Sequence, residues 1–220
     1  MDGYLCRFTR STIGLKVLMA LTGVILFGFT VAHVSGNLLV FAGPAKMNGY
    51  AHMLKSNAGV LWGARLVLLT SVVVHIVSAI TLYKRRGDAR PVAYGFKEPH
   101  GSTYASRTMI WSGPILALFI VYHLLHFTVG AVHPKFNAED AYGNVVEGFS
   151  HAPVAIAYIL AMLCLGLHLS HGVWSLLQTV GVNRPNWECA LRRGAILFGV
   201  AVCGGFISIP LAVLFHFVGK

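Results

Sequence analysis

Histidine is the residue type whose number and position in this chain point to chemistry. The sequence has eleven histidines among 220 residues and only seven acidic residues. In an apolar segment an unsatisfied polar group costs several kcal/mol, so we expect a bound group to use the histidines there. Neutral imidazoles between apolar helices suit haem iron, which accepts one axial ligand from each side. Seven histidines lie in long apolar stretches: His33, His75, His123, His126, His168, His171 and His216.

Four of these histidines form two pairs at matching depths. With a rise of 1.5 Å per residue, His33 and His123 lie ~25 Å and ~21 Å from the side of the membrane that holds the N-terminus. His75 and His168 lie ~12 Å and ~15 Å from that same side. A bis-histidine haem needs two ligands at one level on different helices. The spacing therefore predicts two haems stacked across the membrane.

Spacing alone leaves two ligand choices open. His126 and His171 follow their neighbours His123 and His168 by three residues, share a helix face with them and differ from them by only ~4.5 Å in depth. Small residues near three of the four candidates, Gly36, Ser78 with Ala79, and Gly172, suit either a flat macrocycle or close helix packing. The remaining histidines are predicted to lie at the interface or on the solvated surface: His52, His100, His133, His151 and His216.

The composition predicts an integral membrane protein. Hydrophobic residues make up 56% and charged residues 11% of the chain, whereas a soluble domain has about 25% charged residues. This excludes an ordinary soluble enzyme, a disordered protein and a secreted disulfide scaffold. We expect an all-α bundle of five membrane helices in a single domain over residues 1–220. The apolar stretches, each longer than the ~20 residues that cross a bilayer, run approximately over 16–41, 60–83, 109–132, 152–178 and 194–218.

The positive charges predict the orientation. Twelve of the seventeen Lys and Arg residues lie on the side of the N-terminus and four on the other side. Cytoplasmic loops are enriched in these residues, so we expect a multi-pass protein of the cell (inner) membrane with a cytoplasmic N-terminus and an external C-terminus. The net charge of +10 then reflects topology and a docking face, and no nucleic acid is expected as a partner. Carboxylates are absent from the five stretches, which argues against an ion-coupled transporter.

The histidine-bearing segments resemble a known family. RSTIGLKVLMALTGVILFGFTVAHVSGNLLVF at 10–41, LLTSVVVHIVSAITLYKR at 68–85, SRTMIWSGPILALFIVYHLLHF at 106–127 and LGLHLSHGVWSLLQTVG at 165–181 carry the resemblance. They are similar to the membrane-anchor cytochrome b subunits of succinate dehydrogenases and fumarate reductases, in the branch with one five-helix polypeptide and two haems b. Each segment alone is a weak match, and the specific feature is four histidines in order on four spans, with H-x-x-x-G-x-W at 168–174 in the last.

The resemblance implies a particular ligand set. The ligand in the fourth span of this family lies four residues before a glycine, which gives His168, and the ligand in the third span lies ten residues after a Ser-Gly or Thr-Gly pair, which gives His123. His33 and His123 would then bind the outer haem b, and His75 and His168 the inner one. Some members carry a glutamate two residues before the fourth ligand, where this chain has Gly166, so a proton path of that kind is not expected.

The resemblance also implies function and partners. Electrons would pass between a membrane quinone, with menaquinone expected, and an iron–sulfur subunit and an FAD flavoprotein on the cytoplasmic side, which perform the dicarboxylate chemistry. The basic loops at 84–108 and 179–193 are the expected docking surface. A polar, flexible outer loop containing Tyr50 and His52, near Arg65, is the candidate quinone site.

Two alternatives remain open from the sequence. One is the haem b subunit of a membrane hydrogenase or formate dehydrogenase, which would dock a different catalytic partner. The other is a histidine-rich metal transporter, which would bind a transition metal and show no haem absorbance.

Overall fold

Five helices that are long and apolar enough to cross a membrane make up most of the computed structural model, which describes residues 3–89, 92, 103–182 and 185–219. No strand occurs among these residues, so the predicted all-α five-helix architecture is confirmed. The five spanning helices are α2, α4, α5, α7 and α8. In chain order the helices are α1 Tyr4–Arg10, α2 Thr12–Asn37, α3 Pro44–Lys55, α4 Ala58–Asp88, α5 Tyr104–Leu124, α6 Ala141–Ser150, α7 Ala152–Thr179 and α8 Glu188–Leu214.

The helix ends differ from the ends of the apolar stretches. The third span was expected to reach residue 132, but α5 passes into a π-helical turn at Leu125–Val129 and stops at Gly130, whose φ is 79°. The fifth was expected over 194–218, but α8 begins at Glu188 and ends at Leu214. His216 then takes a φ of 57°, which the helix cannot continue. Hydropathy marks the hydrocarbon layer, whereas capping groups and backbone turns decide where a helix begins and ends.

Side-chain caps set the starts of four helices. Ser11, Asn57, Thr103 and Asp140 each accept a hydrogen bond from a backbone N–H three residues later. These oxygens satisfy one of the donors that the first turn of a helix leaves unpaired. Two of these residues separate a short helix from a long one, Ser11 between α1 and α2 and Asn57 between α3 and α4.

Small residues allow α7 and α8 to pack very closely. A Cβ at Gly199 would lie 2.4 Å from Ser170 Oγ and 2.6 Å from the Gly166 carbonyl oxygen, and one at Gly166 would lie 3.3 Å from Cys203 Cβ. At position 199 only glycine fits, and Gly166 adds to the close approach, as in other small-residue interfaces of membrane helices. Gly166, where some relatives of the resembled family carry glutamate, therefore faces α8.

Two short helices, α3 and α6, cover one end of the bundle and are called the cap below. The sequence predicted a flexible loop around residues 48–52, and this prediction is wrong, because these residues belong to α3. Asn48 Nδ2 donates to Asp140 Oδ1 over 2.9 Å, and Asn48 Oδ1 accepts from the Tyr142 N–H over 2.9 Å. These bonds across the chain fix α3 against α6, which local sequence could not show.

Asp140 is expected to stabilise the cap in a pH-dependent way. Hydrogen bonds from the Gly143 N–H and then from Asn48 hold the pKa of this carboxyl below its usual range. The stabilisation is therefore complete above the unfolded pKa of about 4 and is lost as the pH falls through the folded pKa. Asp140→Ala should destabilise the protein by about 1 kcal/mol at pH 7, measured by thermal unfolding in detergent.

Asp140→Asn is the matched control for this prediction. Asparagine can still accept from Gly143 and Asn48 but does not titrate, so this variant should stay close to wild type at pH 7 and lose less stability on acidification. Equal acid sensitivity of the two proteins would show that Asp140 does not carry the effect.

Candidate functional site

His33 and His123 face each other near the end of the bundle that the cap covers. Their ring centroids are 5.7 Å apart, and the ring planes are nearly perpendicular at 83°. Phe29 stacks on His33 from the same helix, and Phe119 stacks on His123 from one turn earlier in α5. Phe206 of α8 contacts His33 with a centroid distance of 5.8 Å. The surroundings of this pair are thus apolar and aromatic.

His75 and His168 face each other nearer the opposite end. Their ring centroids are 6.4 Å apart, with an angle of 52° between the planes. Thr22 of α2 reaches His75, with 3.2 Å between Thr22 Oγ1 and His75 Nδ1. Gly23 follows Thr22, and a Cβ there would lie 3.7 Å from His75 Cε1, so α2 passes close to this imidazole.

The separations within the two pairs suit a shared iron. A metal–imidazole bond is about 2 Å long, as in zinc sites, so two imidazoles on opposite sides of one metal have centroids about 6 Å apart. The observed 5.7 Å and 6.4 Å bracket this value. In both pairs the two histidines come from different helices, so that each pair could hold one haem iron between two helices.

The helix packing leaves space between the histidines of each pair. Close packing joins α2 to α4 and joins α7 to α5 and α8. Within the described residues, the helices that carry paired histidines, α2 with α5 and α4 with α7, are not among the closely packed pairs. Gly172, one turn after His168, has no atom within 4 Å of the position that a Cβ would take. The donor set and this space fit a flat macrocycle.

His126 occupies a different environment from His123. Only 1% of its surface is exposed, and its Nδ1 lies 3.0 Å from the hydroxyl of Tyr158. The π-helical turn at Leu125–Val129 moves this ring toward the cap, and turns of this type occur often at functional sites. Sequence reasoning missed both Tyr158 and the π-helical turn, because a tyrosine in an apolar stretch gives no distinct signal.

His133 is buried, which corrects the expectation that it lies on the solvated surface. Its ring stacks on His126 with a centroid distance of 4.9 Å. His133 Nε2 donates to the Asn144 carbonyl oxygen over 2.9 Å, and His133 Nδ1 accepts from the Lys135 N–H. Asn144 of α6 and Lys135 of the preceding loop therefore satisfy both nitrogens of this imidazole, which explains why it tolerates burial. Two other histidines of that group, His52 and His151, are exposed, and His100 lies outside the described residues.

The three residues predicted to hold quinone contact three different residues and do not form one cluster. Tyr50 packs on Gly36, since a Cβ on Gly36 would lie 2.6 Å from Tyr50 Cε1. The absence of a side chain at Gly36 makes room for the Tyr50 ring. Because Gly36 follows His33 by three residues, this contact lies close to His33. His52 lies 3.4 Å from Glu139 on the surface, and Arg65 lies over the ring of Trp62 at 4.9 Å. Tyr50 is the candidate that lies beside the His33–His123 level.

Charged groups differ between the two ends. At the cap, Glu147 lies 3.0 Å from Lys135, and the hydrogen bond from Lys135 lowers the pKa of this carboxyl. At the opposite end, Arg85 donates to the Arg10 carbonyl oxygen over 2.7 Å, and Arg192 pairs with Glu188 over 2.8 Å. Much of the predicted docking surface, residues 90, 91, 93–102, 183 and 184, lies outside the described residues.

Comparison with known proteins gives one family match for this chain. The model of one family, described as the succinate dehydrogenase/fumarate reductase transmembrane subunit, matches residues 92–207, which is more than half of the chain. The chain belongs to this family. Its members are the membrane subunits that associate with flavoprotein and iron–sulfur subunits of succinate:quinone oxidoreductases. Searches of curated proteins and of solved structures found no match.

The matched region of this succinate dehydrogenase/fumarate reductase subunit contains one histidine of each pair. His123 lies on α5 and His168 on α7, both inside residues 92–207. Their partners His33 and His75 lie on α2 and α4, before the matched region. With five apolar helices and this family membership, the protein is a multi-pass membrane protein.

The contact between Gly36 and Tyr50 gives a sharp test of the cap geometry. Gly36→Ala places a methyl group 2.6 Å from the Tyr50 ring, so Tyr50 or α3 must move. We expect a destabilisation of about 1–3 kcal/mol, the usual effect of overpacking, measured by thermal unfolding in detergent. Removing the ring as well, in Gly36→Ala with Tyr50→Leu, should recover most of this loss.

Gly28→Ala is the matched control on the same helix. Nothing lies within 4 Å of its Cβ position, so this variant should be neutral or slightly stabilising, because alanine favours helix. If both alanine variants behaved alike, the Gly36–Tyr50 contact would have no energetic role.

Proposed function

We propose that this subunit is a di-haem cytochrome b that passes electrons between a membrane quinone and its iron–sulfur and flavoprotein partners. The observation that carries the proposal is the pairing of histidines across helices at two levels, His33 with His123 and His75 with His168. Family membership supports the same function, because the family is that of a succinate dehydrogenase or fumarate reductase membrane subunit.

The chain would hold one haem b at each histidine pair. Bound haem would supply reversible one-electron transfer, and the protein would supply position and electrostatics. Phe29, Phe119 and Phe206 surround the first pair and would exclude water from it. Thr22 contacts His75 in the second pair and orients that ring.

We place the partner subunits at the end opposite the cap, which the charge distribution assigns to the cytoplasm. Lys84 and Arg86 are exposed there, whereas Arg85 and Arg192 are engaged within the chain. Exposed cations at the cytoplasmic end would attract an acidic face of the iron–sulfur subunit. This assignment makes the His75–His168 level the inner one.

We place the quinone, expected to be menaquinone, near the outer His33–His123 level. Two stacked haems are needed only if electrons cross most of the bilayer, since a quinone at the inner end could react with the iron–sulfur subunit directly. Tyr50 packs beside this level and would contribute a hydroxyl to the headgroup. His52 and Arg65 remain candidates at the rim of the same end.

The two alternatives receive less support. The haem b subunit of a hydrogenase or formate dehydrogenase would not be expected to match the succinate dehydrogenase/fumarate reductase family over more than half of its length. A metal transporter would need several metal-ligating side chains close to one another. Among the described residues no group of three or more His, Cys, Asp or Glu side chains is arranged to hold a metal ion, and the histidines meet in twos.

Haem analysis of the purified complex tests the proposal directly. A pyridine haemochrome assay should give two haems b for each copy of this chain, both low-spin in the oxidised protein. His33→Ala or His123→Ala should remove one haem, and His75→Ala or His168→Ala the other, because each substitution deletes an axial ligand.

His126→Ala and His171→Ala are the matched controls, since each removes an imidazole three residues from a proposed ligand. Both variants should keep two haems. A single haem in the wild type, or loss of haem in His126→Ala with retention in His123→Ala, would contradict the proposed ligand set.

Turnover is expected to respond to the membrane potential. With quinone reacting outside and dicarboxylate inside, each electron crosses the field at ~2.3 kcal/mol per 100 mV, and Gly166 leaves no carboxylate in α7 to support compensating proton movement. The rate of quinone-coupled succinate or fumarate conversion in sealed vesicles should therefore change when an uncoupler is added. A rate that ignores the potential, with quinone bound beside His75 and His168, would contradict the outer site.

A further inference from the structure

One histidine of each pair is hydrogen-bonded through Nδ1 to a hydroxyl from another helix. Thr22 Oγ1 of α2 lies 3.2 Å from His75 Nδ1 on α4. Tyr158 of α7 places its hydroxyl oxygen 3.4 Å from His123 Nδ1 on α5. Both hydroxyl residues are buried, with 8% of Thr22 and 6% of Tyr158 exposed. Neither was identified from the sequence.

The proton of the Thr22 hydroxyl is already in use. Thr22 Oγ1 donates to the Leu18 carbonyl oxygen over 2.8 Å, with Met19 O at 3.2 Å, which is the usual back-bond of threonine in a helix. A hydroxyl has one proton, so Thr22 can only accept from His75. His75 must then carry its proton on Nδ1, which has the Met19 carbonyl oxygen as a second acceptor. The lone pair of this imidazole is left on Nε2.

The Tyr158 hydroxyl also has a single proton to donate. Its hydroxyl lies between two imidazoles, at 3.0 Å from His126 Nδ1 and 3.4 Å from His123 Nδ1. We assign the single proton of this hydroxyl to the nearer nitrogen, His126 Nδ1, so that the oxygen accepts from His123 Nδ1–H. The π-helical turn at Leu125–Val129 brings His126 into reach. His123, like His75, then has its lone pair on Nε2.

The partner of His75 lacks such a bond. His168 Nδ1 is buried and has no hydrogen-bond partner among the described residues. Among the four paired histidines, His75 and His123 have this hydroxyl contact at Nδ1, whereas the buried Nδ1 of His168 does not, so the contact does not follow from burial alone. The two hydroxyls come from different helices, that of Thr22 from α2 and that of Tyr158 from α7.

We propose that Thr22 and Tyr158 are positioning residues that fix Nε2 of His75 and of His123 as the nitrogen that faces the haem. The inference rests on the proposed function, since it concerns the same two haem positions. A hydrogen bond from the distant N–H of a ligating histidine fixes the ring and raises its basicity as a ligand. A more basic ligand stabilises ferric over ferrous iron. Removing either hydroxyl should therefore shift the midpoint potential of one haem to a more positive value.

The experiment is a redox titration of the haem absorbance in the assembled complex, with EPR spectra of the oxidised haems. The two potentials are assigned from His33→Ala and His75→Ala, which each retain one haem. Thr22→Val removes the hydroxyl with almost no change of shape and should shift only the haem of the His75 pair. Tyr158→Phe should shift only the haem of the His123 pair, so each variant is a control for the other.

Two conservative variants separate hydrogen bonding from packing. Thr22→Ser keeps the hydroxyl and should leave both potentials and EPR signals as in wild type. Tyr122→Phe removes a hydroxyl from the ring that stacks on His126 and should also leave them unchanged. Loss of one haem in Thr22→Val with both retained in Thr22→Ser would equally support positioning by the hydroxyl.

Unchanged potentials and EPR signals of both haems in Thr22→Val and Tyr158→Phe would overturn this inference and leave the proposed function intact. Equal shifts of both haems, or a shift in Tyr122→Phe as large as that in Tyr158→Phe, would also overturn it. A wild-type complex without two haems on this chain would instead contradict the proposed function.

Discussion

In hydrocarbon every polar group needs a partner inside the protein, and this requirement governs the arrangement of the histidines. Each buried imidazole has two nitrogens to satisfy, which an apolar helix cannot do by itself, and among the described residues Nδ1 of His168 and of His171 has no protein partner. His75 uses a hydroxyl from α2, and His126 uses one from α7. His133 uses backbone groups of Asn144 in the cap and of Lys135 in the loop before it. The helices are thus held in register partly by the need to place these donors and acceptors opposite one another.

The cap extends this principle beyond the membrane helices. Asn48 joins α3 to the start of α6, through Asp140 and Tyr142. This contact holds α3 over the end of the bundle. Tyr50 then packs on Gly36 beside His33. As a result, the His33–His123 level is enclosed by aromatic side chains and by two short helices, while its counterpart lies near the basic end. The two proposed haem positions have different environments for that reason.

The bundle is built from two sets of closely packed helices, α2 with α4 and α5 with α7 and α8. Each histidine pair takes one member from each set. The match to the succinate dehydrogenase/fumarate reductase subunit family covers mainly the second set. Close packing within each set, as at Gly166 and Gly199 between α7 and α8, fixes the ring levels. The wider separation between the sets leaves the space in which the imidazoles meet.

The sequence by itself determined the five spans and the levels of the four paired histidines, because apolar length and a constant rise per residue need no tertiary information. It could not choose between His123 and His126, since residues three apart share a helix face. The tertiary structure decided that His123 lies beside His33, whereas His126, in the π-helical turn, packs against His133 and Gly148. It also decided that α3 is a helix and that His133 is buried. Both depend on hydrogen bonds between residues far apart in the chain or across a loop, for which hydropathy and spacing contain no signal.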